Sequence, residues 1–228
     1  MTIPSYGEKT YWEQRYKGFK GKETFEWYGG WNTVKPFLQR IQCKKDVSVL
    51  HVGCGNSTLA EDMHENGYRN NQFCVDFVES VVKEMQKRSA EGRPEIKYET
   101  MDITDSAFKS HIDASFQLIV DKGCLDTVVC GTDVNENVST MLSNAWSCLA
   151  TNGYLLVFSY GPPEERVALL DGQATSKEPL FDVKVMVFNK PSLKVALEGG
   201  EYALDIKKYE DGKHYENSYF VYICKKLG

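Results

Sequence analysis

An open α/β sheet, seven-stranded and mostly parallel, with helices on both faces and an antiparallel pair at one edge, accounts for this 228-residue chain. Three observations lead there. Five short strand-like runs alternate with helical repeats, as parallel strands joined by right-handed crossovers require. The last two strand-like runs have no strong helical pattern between them, which implies antiparallel pairing. Four of the parallel runs stop at Gly53, Asp76, Asp102 and Asp121, and an open sheet of this kind receives ligands beyond the carboxyl ends of its strands.

Residues 1–30 are rich in aromatics, with Tyr11, Trp12, Tyr16, Phe19, Phe25, Trp27 and Tyr28. They read as an irregular or partly helical arm on the main domain of residues 31–228. Val34, Phe37, Leu38 and Ile41 then follow a helical period, with Pro36 tolerated in a first turn. Val47–Val52 is β-branched and stops at Gly53, the signature of a buried parallel strand. Thr58–Asn66 predicts a helix closed by Gly67. Phe73–Asp76 is the second strand. Val78, Val81, Val82 and Met85 form one stripe of a helix over 79–90, which Gly92-Arg93-Pro94 breaks.

Ile96–Met101 is the third strand and Phe116–Asp121 the fourth. The clearest helix covers 136–149, where Val138, Met141, Leu142, Ala145, Trp146 and Leu149 keep the 3.6-residue period. Thr151-Asn152-Gly153 turns into a fifth strand, Tyr154–Tyr160. Val183–Phe188 and Ser218–Cys224 close the series.

Composition narrows the functional classes. Hydrophobic residues make up 42% and charged residues 26%, ordinary for a soluble globular chain. No apolar run reaches the ~18 residues of a membrane-spanning helix, and Met1–Tyr6 lacks the basic-then-apolar pattern of a secretory leader. Net charge is −5, which argues against a nucleic-acid partner. Seven cysteines, an odd number without a CxxC pair, read as reduced thiols of a cytoplasmic protein. Four scattered histidines give no metal-ligand spacing, so no metal is expected.

The chemistry lies at the strand ends. Gly53-Cys54-Gly55-Asn56-Ser57-Thr58 is a tight turn in which Gly53 and Gly55 let the backbone approach a ligand. A dinucleotide fingerprint needs a third glycine where Thr58 stands, which disfavours a nicotinamide dehydrogenase. The loop suits a nucleoside with an amino-acid tail. Asp76 can accept from both hydroxyls of a ribose, Phe77 can lie on an adenine face, and Asp102 can accept from the adenine amino group with Ile103 beside it. Each has a plainer alternative: a helix cap for the two acids, core packing for the ring. Tyr11, Trp12 and Tyr16 can fold over a cation or simply pack on the sheet. Trp27 and Tyr28 can line a channel for an incoming amine, or pack. Lys122 can meet a cofactor through its backbone or pair with a neighbouring carboxylate.

Together these segments resemble class I S-adenosylmethionine-dependent methyltransferases with a Rossmann-like sheet, and most closely the group that includes the translation elongation factor 1-alpha lysine methyltransferases. The resemblance rests on Tyr11-Trp12-Glu13-Gln14-Arg15-Tyr16, Phe25-Glu26-Trp27-Tyr28, Val52-Gly53-Cys54-Gly55-Asn56-Ser57, Met101-Asp102 and Asp121-Lys122-Gly123-Cys124-Leu125-Asp126. It covers about residues 11–160, and Cys124 stands where that group usually has Thr. It implies S-adenosylmethionine as cofactor, S-adenosylhomocysteine as product, and cofactor roles for Trp12, Tyr16, Gly53, Asp76, Phe77, Asp102, Ile103 and Lys122. It also implies a protein amine as acceptor, a lysine or an N-terminus, on a partner such as a translation elongation factor.

Such a transfer is an in-line displacement and needs no covalent nucleophile. A lysine acceptor, with a free pKa of ~10.4, must first lose a proton. Asp121 or another acid can orient the amine or pass its proton to water, and no residue is assigned as general base. A small-molecule methyltransferase and a non-catalytic cofactor-binding module stand as alternatives on the same fold.

Overall fold

The structure is a computed structural model that describes residues 4–90, 92–171, 180–189 and 204–227. The arm contributes α1 (Lys9–Arg15). Then come α2 (Trp31–Arg40), β1 (Val49–Val52), α3 (Leu59–Glu65), β2 (Gln72–Asp76), α4 (Glu79–Ser89) and β3 (Ile96–Thr100). A 3-10 turn (Phe108–His111) leads to β4 (Phe116–Lys122), α5 (Cys124–Val129), α6 (Val134–Cys148), β5 (Leu149–Ser159) and α7 (Pro163–Leu170). The chain closes with β6 (Phe181–Asn189), β7 (Ile206–Lys208) and β8 (Ser218–Lys226).

The sheet runs β3-β2-β1-β4-β5-β8-β6-β7. The first five of these strands are parallel, and β8, β6 and β7 join antiparallel. It therefore has eight strands, not seven. The extra one, β7, is three residues long, Ile206-Lys207-Lys208, too short and too polar to leave a period in the sequence. The closing strands do pair with each other, with β8 lying between β5 and β6. The absence of a helix between them falls partly on residues 190–203, outside the described residues.

Strand alternation sorts the core onto two faces. Leu50, Ile119, Leu155 and Val157 face Met141, Leu142 and Ala145 of α6. Val49, Leu118, Leu156 and Phe158 face Val34, Phe37 and Leu38 of α2 and Met63 of α3. On that second side Phe37, Phe158 and Phe188 pack edge to face, with centroids 5.5 and 5.8 Å from Phe37. The arm packs where the sheet thins towards β3. Trp12, Tyr16 and Phe19 share a cluster with Cys74, Val78, Val81, Val82, Met85 and Tyr98.

Several boundaries moved for local reasons. The second helix begins at Trp31, so Pro36 lies inside it, not in the first turn. Helix α5 and helix α7 left no readable signal: α5 has six residues and α7 eight, and neither repeats an apolar stripe for long enough. Among the described residues no helix is long and apolar enough to cross a membrane, and no group of three His, Cys, Asp or Glu could hold a metal ion.

The parallel strands change direction at one place. From β1 the chain steps outward through β2 to β3, then returns to place β4 on the other side of β1. The crevice at this switch opens above Gly53, at the carboxyl ends of β1 and β4, where ligands of such sheets bind.

Candidate functional site

A cavity of about 300 Å³ occupies that crevice. Its floor is the turn after β1. Gly53 has φ +60° and Gly55 φ +50°, a region that side chains disfavour. Space forbids a side chain as well. A Cβ on Gly53 would lie 2.8 Å from Cys124 Cβ, and one on Gly55 2.5 Å from the Tyr16 hydroxyl oxygen.

Asp76, at the end of β2, is buried against this turn. Its Oδ2 accepts the Gly55 N–H at 2.9 Å and its Oδ1 the Val78 N–H at 3.0 Å. Burial, helped by the charge of Asp102, pushes its carboxyl up to about 6 against the pull of those two N–H groups. Asp102 is exposed, and its Oδ1 accepts from the Thr104 N–H at 2.9 Å and hydroxyl at 2.6 Å. Neither acid caps a helix: Asp76 braces the backbone just before α4 and Asp102 closes a local turn with Thr104. Ile103 is buried beside them, and Phe77, half-buried, has Lys9 Nζ 5.7 Å from its ring centroid.

The arm forms the roof. The Trp12 indole donates to Tyr6 O at 2.6 Å and lies 6.2 Å from the Tyr16 ring, nearly parallel to it. Trp27 meets Trp12 at 6.2 Å, Tyr6 at 5.8 Å and Phe25 at 5.2 Å. Burial, with Asp76 adding to it, pushes the Tyr16 phenol up, so it stays neutral.

Ten of the twelve residues singled out from the sequence line this one cavity: Trp12, Tyr16, Trp27, Gly53, Gly55, Asp76, Phe77, Asp102, Ile103 and Lys122. Two do not. Asp121 is fully buried, and its oxygens accept the Cys124 and Leu125 N–H groups at 2.8 and 2.9 Å. It caps α5 and has no face left for an amine; burial and the nearby Asp126 push it up to about 7. Tyr28 turns away from the cavity. Its hydroxyl donates to Asp126 Oδ2 at 2.5 Å and its ring meets Tyr219 edge-on at 4.7 Å. Lys122 lines the cavity, yet its ammonium pairs with Glu26 and donates to Gly29 O at 3.0 Å. The salt-bridge alternative thus describes its side chain.

Three features escaped sequence reasoning. Glu26 sat inside a quoted segment with no role; its carboxylate reaches Ser57, Thr58 and Lys122. Asp126 gathers Tyr28, Ser159 Oγ at 2.5 Å, Tyr160 N–H at 2.9 Å and Arg166 at 3.2 Å. His51 lines the cavity floor from β1. Gln72 Nε2 donates to Ala60 O and Tyr68 O, which leaves its Oε1 to accept from His51 Nε2 at 2.8 Å. Burial pushes this imidazole down to about 4, so it is neutral near pH 7. A histidine inside an apolar strand was the available signal, and it gave no hint of direction.

The comparisons with known proteins agree with this geometry. The profile of a methyltransferase-domain family matches residues 43–195. The human "eEF1A lysine and N-terminal methyltransferase" is 37% identical over 205 residues, covering 80% of this chain and 28% of that protein. Its Danio rerio counterpart is 36% identical over 152 residues, covering 67% and 21%. The Mus musculus "EEF1A lysine methyltransferase 4" is 31% identical over 170 residues, covering 71% and 64%. The chain spans 21–36% of the length of the proteins of that first name from Danio rerio, Bos taurus, Mus musculus, Homo sapiens and Xenopus laevis. Among solved structures, the N-methyltransferase NodS of Bradyrhizobium japonicum, in complex with S-adenosylhomocysteine, superposes with a TM-score of 0.57 at 13% identity. That match covers 99% of this chain and all of NodS. A S-adenosylmethionine-dependent methyltransferase of Methanosarcina mazei gives 0.56 at 13% identity, covering 84% and 97%. These two show the fold. The matched span carries the floor and walls of the crevice, from His51 to Asn137, and the chain belongs to the methyltransferase-domain family.

Proposed function

We propose that this chain transfers a methyl group from S-adenosylmethionine to a protein amine, a lysine or an N-terminus, and that the acceptor is a translation elongation factor. The names of its relatives support the acceptor. One observation carries the cofactor: a buried carboxylate, Asp76, tied to the glycine turn and facing an aromatic-roofed cavity.

The residues present suit the cofactor. Each Asp76 oxygen accepts a single backbone N–H, so each keeps a lone pair for a ribose hydroxyl. The glycines hold the turn open where a Cβ would collide with Cys124 or Tyr16. The cavity, about 300 Å³, lies at the small end of the ~300–1,000 Å³ range of ligand sites. Phe77, Asp102 and Ile103 would hold the adenine end, Gly53, Gly55 and Lys122 the amino-acid end, and Trp12 and Tyr16 the cover.

Bound there, the cofactor supplies an electrophilic methyl on a sulfonium. The protein's share is orientation and exclusion of water. Phe25 and Trp27, which line the cavity, would flank an arriving amine. An apolar approach disfavours the ammonium form and lowers the amine's pKa. Asp121 is sealed and takes no part, so the proton leaves to solvent. Residues 1–30 act as a cover for the site and residues 31–228 as the catalytic domain. All seven cysteines are free, in keeping with a cytoplasmic setting.

Two experiments test this reading. Calorimetric titration of S-adenosylhomocysteine should show binding to the wild type and its loss in Asp76→Ala, with the circular dichroism spectrum unchanged. Labelled S-adenosylmethionine, incubated with the chain and a cytosolic extract, should place label on a protein amine by mass spectrometry. Label found only on metabolites would replace the protein acceptor with a small molecule.

A further inference from the structure

We propose that Glu26 is a positioning residue: its carboxylate clasps the arm to both loops that floor the cavity, and so holds the aromatic roof over the bound cofactor. The proposal rests on the cofactor reading above.

Phe25 and Trp27 line the cavity, whereas Glu26 and Tyr28, between and after them, point into the protein body. The contacts of Glu26 and Tyr28 with the protein body make these two residues the anchors of the two roof residues. Glu26 is the more connected anchor. Its Oε1 accepts the Thr58 N–H at 2.7 Å and the Ser57 hydroxyl at 2.9 Å. Its Oε2 accepts from Lys122 and lies 2.8 Å from the same Ser57 hydroxyl. Ser57 and Thr58 belong to the turn after β1, and Lys122 ends β4. One arm carboxylate thus bridges the two strand ends that flank the switch point. The Lys122 ammonium returns the link by donating to Gly29 O at 3.0 Å. A third tie, from Asn56 Nδ2 to Glu23 O at 3.1 Å, joins the same turn to the preceding arm residues.

The second anchor shows that the geometry is imposed. Tyr28 holds φ +60°, a region a bulky side chain avoids, and its hydroxyl donates to Asp126 Oδ2. Such a conformation persists where surrounding contacts over-determine it. Glu26 itself does not line the cavity, and its two oxygens already accept from Thr58, Ser57 and Lys122. It therefore acts through Phe25, Trp27 and the Gly53–Thr58 turn, not as a ligand.

Glu26→Gln removes the charge that faces Lys122. Glu26→Asp keeps that charge but is one methylene too short to reach Thr58 and Lys122 together. Glu13→Gln, on the exposed face of α1, is the control. The measurement is S-adenosylhomocysteine association and dissociation by stopped-flow tryptophan fluorescence, paired with trypsin cleavage at Arg15, Lys17, Lys20 and Lys22. Both Glu26 variants should release the ligand about tenfold faster, the loss of one charge-assisted bond, with association little changed. Their arm should be cut faster than the wild-type arm. Should Glu26→Gln fail to fold, Glu26→Asp decides on the same two readouts. Wild-type dissociation and cleavage rates in a folded Glu26→Asp protein would overturn the proposal, because a general stabilising charge would be rescued by aspartate and a clasp would not. A wild type that binds no S-adenosylhomocysteine would instead overturn the cofactor reading.

Discussion

Asp76 shows how burial at a strand end becomes a pH dependence. Its folded value, about 6, lies above the 3.8 of an unburied aspartate. Its contribution to stability is therefore complete below about 4 and is lost as pH rises through about 6. Ribose binding needs the opposite, an ionised acceptor. Cofactor affinity should accordingly rise between pH 5 and pH 7 and level off, and Asp76→Asn should bind weakly with a flat profile; calorimetry at three pH values checks both. Gly53 makes a steric prediction. Its φ of +60° and the 2.8 Å approach of Cys124 mean that Gly53→Ala must strain the turn or push Cys124 aside. A loss of about 1–3 kcal/mol in urea unfolding, with weakened cofactor binding, is expected. At this scale the sequence was legible where a residue type meets a strand end. Asp76, Asp102 and Gly53, singled out at strand ends, line the cavity. Asp121 does not, because a strand-end acid serves equally to hold the first N–H groups of a following helix, and α5 is too short to announce itself. Glu26 was invisible because its partners lie 31 and 96 residues away.

Among the elements, β4 has a run of four buried residues, Leu118–Asp121, at its centre. Its Leu118, Ile119 and Val120 are at most 2% exposed, and Leu118 faces the α2–α3 layer. Leu118→Ala should cost about 2–5 kcal/mol by urea unfolding, the range for a buried leucine whose cavity does not collapse. The parallel strands and the long helices were legible because each repeats one period for a full element. Helix α6 spans 15 residues and keeps one buried stripe throughout. Strand β5 was read from Tyr154, although it begins at Leu149. Thr151-Asn152-Gly153 looks like a turn in sequence, yet it lies within the strand beside a register shift against β4. Turn-forming residues cannot report that a neighbouring strand has absorbed them as an irregularity.

For the molecule as a whole, ligand binding and folding should be linked, because the site is assembled from the arm, the β1 turn and the ends of β2 and β4. S-adenosylhomocysteine at a hundred times its dissociation constant should add about 2.7 kcal/mol to stability. Thermal melts with and without it check this, and Asp76→Ala should show no shift. The direction of the parallel half followed from the alternation of strands and helices, since right-handed crossovers leave few arrangements. The insertion of β8 between β5 and β6 did not, because antiparallel strands can return to either neighbour without a change in their own pattern.

The outer strands carry one more consequence. At one margin, β7 ends the described sheet with Lys207 and Lys208 exposed; at the other, β3 turns Lys97 and Glu99 to solvent. A second molecule adding itself to either rim would bring charge into the ladder of backbone bonds. Charge at both rims disfavours such edge-to-edge pairing.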